Sequence, residues 1–531
     1  MAFLAKLDYY RRMASGLYSL LRTPPYADPE GMIRFQMENR ERHFLELAQR
    51  VIFSNPANPY YEMFRLAGCS YEDLVEAVHR DGLESTLASF HRQGVYLLHD
   101  EFKGKKPIVR SNREIPATPR SFRNPLVKGG METSSGGSRS RGTRIPKSTA
   151  QQLHGEAYAV LSQREFALSA RRRIQLKPIL PAADGILRCV RSSRLGCPIE
   201  KWFSTYSESL DSTHYQVATQ AMVAVARLFG EKVPFPAFLP PNDFSPVAEW
   251  IATRRRQGQA VAVTCHTSPA VRVAAAAVEE GLDIRGTLFL VGGETLTEAK
   301  RRVIEAAGAE VFPRYPIVEL GPIGYACRQM TTGNSVHLFH DSVAVINYRR
   351  TAPLSGAQVD SLLFTTLLPC AALALINVEM DDCGVLARAT CDCTFSRAGF
   401  TTQIRDIFSY GKLTGHGVTL AGTDVLDILE KVLPARFGGG PLDYQLVEAD
   451  APHQARIILR VSRRVPLPSP EAVRDCFLRE LRQFQGGTGA LRAWRSAGAL
   501  EVVHEDPLVT RTGKVLPLHL LGSGTGRSDA S

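Results

Sequence analysis

AVAVTCHTSPAVRVAAAAVEEGLDIRGTLFLVGGETLTEAKRRVIEAAGAEVFPRY, residues 260–315, alternates three short apolar runs with two helix-patterned stretches. AVAVTC (260–265) is brief and β-branched, as a buried strand is. PAVRVAAAAVEEG (269–281) spaces its apolar side chains for a helix that Gly281 ends. GTLFLVGG (286–293) is a second strand running into a glycine turn, and AEVFPRY (309–315) a third. Between them, TLTEAKRRVIEAAG predicts a helix with Thr295 as N-cap, Glu298 three residues on and Gly308 as its stop. Parallel neighbours need a crossover, usually helical, so this order predicts an α/β fold with mostly parallel sheets and flanking helices.

Outward from this stretch the pattern changes twice. Residues 1–125 read as a helical start, with apolar side chains three and four apart at Phe44, Leu47, Val51 and Ile52 and again at Leu74, Val75, Val78 and Leu83. KGGMETSSGGSRSRGTR (128–144) has no apolar period and reads as a loop or a linker. Beyond Cys393 a helix (424–433), two strands (444–447 and 455–461) and a further helix (470–484) predict a compact α+β unit. The chain is thus expected to divide into a large domain, 1–408, and a small C-terminal α+β domain, 409–531.

Composition narrows the function. The 531 residues are 44% hydrophobic and 22% charged, which excludes a mainly disordered chain. Sixty-four lysines and arginines against 53 acidic residues give +11, suited to anionic partners such as nucleotides. The basic residues are dispersed and seldom flanked by aromatics, so nucleic acid is not an expected partner. The triplets Arg171–Arg173 and Arg254–Arg256 read as solvated helix faces. The most apolar run, 364–378, is too short to cross a membrane, and 1–21 contains Arg11 and Arg12 and lacks a signal-peptide core. Ten irregularly placed cysteines fit a reduced, cytoplasmic setting.

Three separated segments carry chemistry. Thr133 to Gly142 combines glycines, hydroxyls and arginines, which can close on phosphate; alone it reads equally as a flexible linker. Gly292-Gly293-Glu294-Thr295 follows a strand, where open α/β sheets bind ligands. Tyr315-Pro316-Ile317-Val318-Glu319 follows the next strand, with an aromatic that can stack on a purine and a carboxylate that can hold a metal. Cys265-His266 is no nucleophile–base pair, because adjacent strand residues point to opposite faces.

The order and spacing of these segments resemble the adenylate-forming superfamily of acyl-CoA synthetases, adenylation domains and luciferases, most of all its phenylacetate–CoA ligase-like branch. The resemblance implies that Ser134, Ser135, Gly136, Gly137, Ser138 and Arg139 belong to a phosphate-binding loop, and that Gly292, Gly293 and Glu294 line adenine. It implies further that Tyr315 stacks on adenine, Glu319 ligates Mg²⁺, Asp382 holds the ribose and Lys514 acts in catalysis. His266, Thr267, Ser268 and Pro269 would lie beside the acyl pocket. The sequence departs from the family at Pro316 (usually Gly), Val318 (usually Thr) and Asp381 (usually Gly), and the loop lacks its common lysine unless Arg144 or Lys147 substitutes.

Cys327, His337, Cys391 and Cys393 have the ligand types of a structural Zn²⁺ site, and the same branch carries a similar arrangement; read alone, they are buried reduced cysteines. The implied activity is ATP-dependent, AMP-forming ligation of a carboxylic acid, aryl or arylacetic by default, to CoA. An amine, carrier-protein or nitrite-type substrate, or a non-catalytic nucleotide-binding homologue, would leave the motifs unchanged. ATP, Mg²⁺, structural Zn²⁺ and CoA are the implied cofactors, and a homodimer is compatible. A hinge for the small domain is expected near 405–414.

Overall fold

The computed structural model describes residues 2–127, 130–134, 144–205, 213–240, 242–331, 333–351, 358–409, 414–415, 418–419, 423–449, 456–467, 469–483, 500–510 and 513–521. Its centre is a twelve-stranded sheet. In chain order the strands are β1 (Arg172–Leu176), β2 (Lys201–Ser204), β3 (Pro236–Phe238), β4 (Val261–Cys265), β5 (Leu288–Gly292) and β6 (Glu310–Ile317). They continue as β7 (Gly321–Tyr325), β8 (Val336–Leu338), β9 (Val343–Thr351), β10 (Gln358–Thr366), β11 (Val378–Arg388) and β12 (Thr402–Ser409). Their order across the sheet is β9-β10-β11-β12-β8-β7-β6-β5-β4-β1-β2-β3.

The half from β6 to β3 is parallel throughout, and the half from β6 to β9 is antiparallel. The α/β expectation therefore holds, with the parallel pairing concentrated in one half. Helices α1 (Thr149–Glu165), α2 (Asp184–Arg194), α3 (Ser245–Arg256), α4 (Thr267–Glu279) and α5 (Glu298–Ala306) accompany that half. β4 is buried at every position, as a strand covered on both faces must be. Its Val261 and Val263 join Val273 and Ala274 of α4 and Phe289 of β5 in one core. Each such side chain contributes about 1.5–3 kcal/mol on burial. The helical start packs Phe44, Leu74 and Leu87 against Val345, Leu363 and Ile404 of the antiparallel half.

A second sheet comprises β13 (Tyr444–Ala449), β14 (Arg456–Val461), β15 (Leu500–His504) and β16 (Leu518–Leu521), ordered β15-β14-β13-β16. With α6 (Pro470–Leu481) it encloses its own core around Leu446, Leu459 and Phe477.

Two readings of the sequence are corrected. The helix after the glycine turn is capped by Thr297, whose hydroxyl accepts from Lys300 N at 3.4 Å, so α5 begins two residues after the Thr295 start. Arg171–Arg173 is not a helix face: it leads into β1, and Arg173 is buried with its guanidinium donating to Cys197 O. Arg254–Arg256 does close a helix. All ten cysteines are free thiols, and among the described residues no helix is long and apolar enough to cross a membrane.

Where α2 leaves the sheet, the backbone passes close to Trp202 of β2. A Cβ on Gly185 would lie 2.5 Å from Trp202 Cζ2 and 2.6 Å from Pro178 O. Gly185→Ala should therefore lower stability by about 1–3 kcal/mol, the usual cost of overpacking. Chemical denaturation checks this, and an unchanged midpoint would contradict the packing.

Candidate active site

Chains leaving parallel strands all emerge on one edge, and here the edge holds a cavity of about 400 Å³. Lys177 follows β1, His266 follows β4, Gly292 and Gly293 close β5, and Pro316 to Glu319 end β6; all line the cavity. Gln151 and Gln152 of α1, Asp184, Arg188 and Arg191 of α2, Asp382 of β11 and Lys514 complete much of the wall.

The turn after β5 is fixed by close approach. Gly293 has φ +81°, and a Cβ there would lie 2.9 Å from His266 Nδ1 and 3.1 Å from Lys514 Nζ. Only glycine meets both demands without strain. Lys514 Nζ donates to Gly293 O at 2.8 Å, and Val515 N donates to Ser268 Oγ at 3.2 Å, so the C-terminal segment is seated on the cavity. His266 Nδ1 lies 2.8 Å from Gly292 O. A carbonyl only accepts, so Nδ1 carries the hydrogen and Nε2 keeps its lone pair. Burial, then the Lys177 and Lys514 charges, hold this imidazole well below its ordinary pKa.

At the end of β6, the Tyr315 hydroxyl donates to Asp382 Oδ2 at 2.7 Å. Burial and then this carboxylate push the phenol well above its ordinary pKa. Glu319 is buried and ion-paired with Lys103. The Lys147 ammonium donates to Val318 O, and burial pulls its pKa down to about 8. The family departures have visible consequences. Pro316 sits where the β6–β7 register shifts, a bulge that spares the ladder a donor proline cannot supply. Asp381 keeps a left-handed φ of 60°, natural for glycine and costing another residue about 1–2 kcal/mol. Its carboxylate lies 3.3 Å from His99 Nδ1.

The remaining site expectations fall in different places. Neither Tyr315 nor Glu294 is on the cavity wall: Tyr315 packs against the core between the lining residues Arg314 and Pro316, and the Glu294 carboxylate accepts from Ser268 N at 2.9 Å and Ser268 Oγ at 2.5 Å, tying the β5 turn to the start of α4. Of the quartet beginning at His266, the other three, Thr267, Ser268 and Pro269, are buried in the first turn of α4. Thr133 lines the cavity, and the backbone of Ser134 ends a short strand. Ser135, Gly136, Gly137, Ser138 and Arg139 lie outside the described residues.

Sequence reasoning missed Lys103, Lys177, Asp184, Arg188, Arg191 and Arg314, all on the cavity wall. Asp184, Arg188 and Arg191 at i, i+4 and i+7 carried a readable signal, one face of a helix. In total, eight lysines and arginines face three carboxylates across the cavity, a field that favours an anionic ligand.

Cys327, His337, Cys391 and Cys393 converge, with all four ligand atoms within 4.8 Å of one another. Cys391 Sγ lies 3.8 Å from both Cys327 Sγ and Cys393 Sγ, and His337 Nε2 lies 3.3 and 3.2 Å from Cys391 and Cys393. A tetrahedron of zinc–sulfur bonds of about 2.3 Å has edges of about 3.8 Å. His337 Nδ1 donates to Phe400 O at 2.8 Å, which leaves Nε2 free to ligate. This set can hold a metal ion, and it brings together the middle of β8 and the segments that follow β7 and β11.

No family model matches the chain, and no curated protein does. Among solved structures it is similar to 2-hydroxyisobutyryl-CoA ligase in its postadenylation state, at 16% identity and a TM-score of 0.48, covering 91% of this chain and 88% of that one. It is also similar to the anthranilate CoA ligase AuaEII with anthranoyl-AMP (11% identity, TM-score 0.40, 86% of this chain and 79% of that one). O-succinylbenzoate CoA synthetase of Bacillus subtilis with ATP and magnesium is a third, at 10% identity and a TM-score of 0.39, covering 73% of this chain and 68% of that one.

The lowered pKa of Lys147 yields a test of the cavity's dryness. Lysine titrates near 10.4 when unfolded, and burial pulls Lys147 down to about 8. Between those values the unfolded chain holds more protons than the native one, so this group's contribution to stability rises with pH. The stability of wild type relative to that of Lys147→Met should rise by about 1–3 kcal/mol from pH 7.5 to 10.5. Denaturation curves across that range check it; a flat difference would mean a hydrated, unperturbed lysine.

Proposed function

We propose that this chain is an ATP-dependent, AMP-forming ligase, which adenylates a carboxylic acid and passes the acyl group to CoA or another acceptor. One observation carries the reading. Motif residues far apart in sequence, at Thr133, Gly292–Gly293, Pro316–Glu319, Asp382 and Lys514, meet on one cation-rich cavity at the strand ends. The adenylate-forming resemblance assigns each of these segments to ATP.

In the first step a carboxylate oxygen attacks the α-phosphorus, a P–O bond forms, and pyrophosphate leaves with its electron pair. Charge grows on the phosphate oxygens, where Lys514 and backbone N–H groups are of most use. Lys514 is already held at Gly293 O, 2.8 Å away, so the seated C-terminal segment suits this step. Tyr315 would pack on adenine, while its hydroxyl orients Asp382 toward the ribose. Glu319 would hold Mg²⁺, which when bound offsets the negative charge of the phosphates. A single buried carboxylate suffices when phosphates and water complete the shell, and Lys103, now paired with Glu319, would turn to the phosphates. Lys147 supplies the cation that the phosphate loop lacks.

In the second step the acceptor, a thiol in the case of CoA, attacks the acyl carbon and AMP leaves. We propose that the boundary of the moving unit lies at residues 408–409, at the end of β12, with the hinge near 405–414, of which 410–413 lie outside the described residues. The apolar part of the wall, including Pro178, Leu187 and Leu290, suits the ring of an aryl or arylacetic acid. Cys327, His337, Cys391 and Cys393 would hold a structural Zn²⁺, a closed set with no position for catalysis. The free thiols suit a cytoplasmic compartment.

Replacing Lys514 with Ala should slow ATP–pyrophosphate exchange by about 10²–10³-fold, the usual loss of one transition-state charge stabiliser. Unchanged exchange in that variant would remove Lys514 from the mechanism. Protein purified without added metal should contain about one zinc per four-ligand site. Cys391→Ser should lose that zinc, and chelation should lower the melting temperature, because zinc binding adds to folding free energy. A metal-free wild type of full stability would contradict the zinc assignment.

A further inference from the structure

The cavity extends beyond the residues assigned to ATP, toward the end of β1 and the cavity-facing side of α2, and charge dominates that end. Asp184 Oδ2 lies 3.1 Å from Lys177 Nζ, and Asp184 Oδ1 lies 3.5 Å from Arg188 Nη2. Arg191 Nη2 donates to the neutral amide of Gln152 at 2.9 Å, and Arg314 Nη2 donates to the Ser162 hydroxyl at 2.8 Å. Among the described residues no carboxylate lies within ion-pair distance of Arg191 or Arg314. The Nε groups of Arg188 and Arg314 are buried without a hydrogen-bond partner. Lys177 and Arg188 thus share the one carboxylate of Asp184, while Arg191 and Arg314 have only neutral hydrogen-bond partners.

Buried donors without partners and cations without counter-charges are both costly, so an anionic ligand that completed them would be favoured on both counts. Burial pulls the Arg314 guanidinium down to about 9, with the Arg188, Arg173 and Arg191 charges acting in the same direction. An acid with only an apolar tail would leave this end uncompensated. We propose that the acid this chain activates carries a second anionic group, held by Lys177, Arg188 and Arg191 at the end remote from the carboxylate that is adenylated. The inference rests on the adenylation reading and adds the substrate class to it.

Spacing agrees. The sheet order β5-β4-β1 puts Gly293 with Lys514 at one strand end and Lys177 two strands away. Two strand spacings are about 10 Å. A six-carbon diacid with a hydrogen bond of about 3 Å at its far carboxylate bridges that distance. The far group is a carboxylate or a phosphonate-type oxyanion, since both satisfy guanidinium donors in the same way. A ring between the two acidic groups would still meet Leu187 and Leu290.

The test is ATP–pyrophosphate exchange with adipate, terephthalate, 5-phosphonopentanoate, adipate monomethyl ester and hexanoate. At least one doubly anionic acid should exceed the monoester and hexanoate in kcat/KM by about 100-fold or more, because the uncharged analogue leaves buried donors unpaired. Comparing adipate with 5-phosphonopentanoate distinguishes carboxylate from phosphonate. In Arg191→Met the ratio of diacid to monoester should fall toward one through the KM of the acid, with the KM of ATP unmoved. Arg191→Lys should restore part of the ratio, and Arg188→Met provides a second removal if Arg191→Met melts early. Exchange with hexanoate or the monoester equal to that with every doubly anionic acid overturns the anionic subsite and leaves adenylation standing. A rise in the KM of ATP with an unchanged acid ratio also overturns it, by giving these cations to the triphosphate. No exchange with any acid overturns the adenylation reading, and the subsite with it.

Discussion

A parallel run of strands delivers every following loop to the same edge, and the rest of this molecule depends on that constraint. Because β6, β5, β4 and β1 are neighbours with one direction, Glu319, Gly293, His266 and Lys177 are brought to one cavity from positions up to 142 residues apart. The antiparallel half adds Asp382 from β11, which accepts the Tyr315 hydroxyl across the sheet. The C-terminal segment then closes over the edge, and the absence of a side chain at Gly293 is what lets Lys514 and His266 approach the same turn.

Electrostatics give the edge its purpose. A cavity with more lysines and arginines than carboxylates is unfavourable when dry, and each local device reduces the imbalance. Lys103 pairs with Glu319, Lys177 shares Asp184 with Arg188, and Lys147 has a depressed pKa. An anionic ligand would complete what these pairings leave over, so affinity for such a ligand and the instability of the unliganded cavity have one physical origin.

The core of the fold was legible because β4, β5 and β6 are short apolar runs divided by helices with clear stops, Gly281 and Gly308. β1 escaped because it opens on arginines: Arg173 is buried through a hydrogen bond to Cys197 O, a tertiary contact that no periodicity announces. The start of α5 was misplaced because Thr295 and Thr297 both precede Glu298, and only the folded turn shows which hydroxyl meets Lys300 N. Tyr315, Asp382, Lys514 and the four cysteine and histidine ligands could be singled out because their spacing resembles a known pattern. Lys103 and Arg314 could not, since neither belongs to a spacing that marks a functional face, whereas Asp184, Arg188 and Arg191 share one face of α2.

The central claim is that this edge binds ATP, with adenine at the Gly292 turn and at Tyr315. Photolabelling of the full-length protein with 8-azido-ATP in the presence of Mg²⁺, followed by peptide mapping, tests it directly. ATP-competed label should be confined to peptides containing Gly292–Glu294 or Tyr315–Glu319. Label that ATP does not displace, or that maps to segments remote from this cavity, would contradict it.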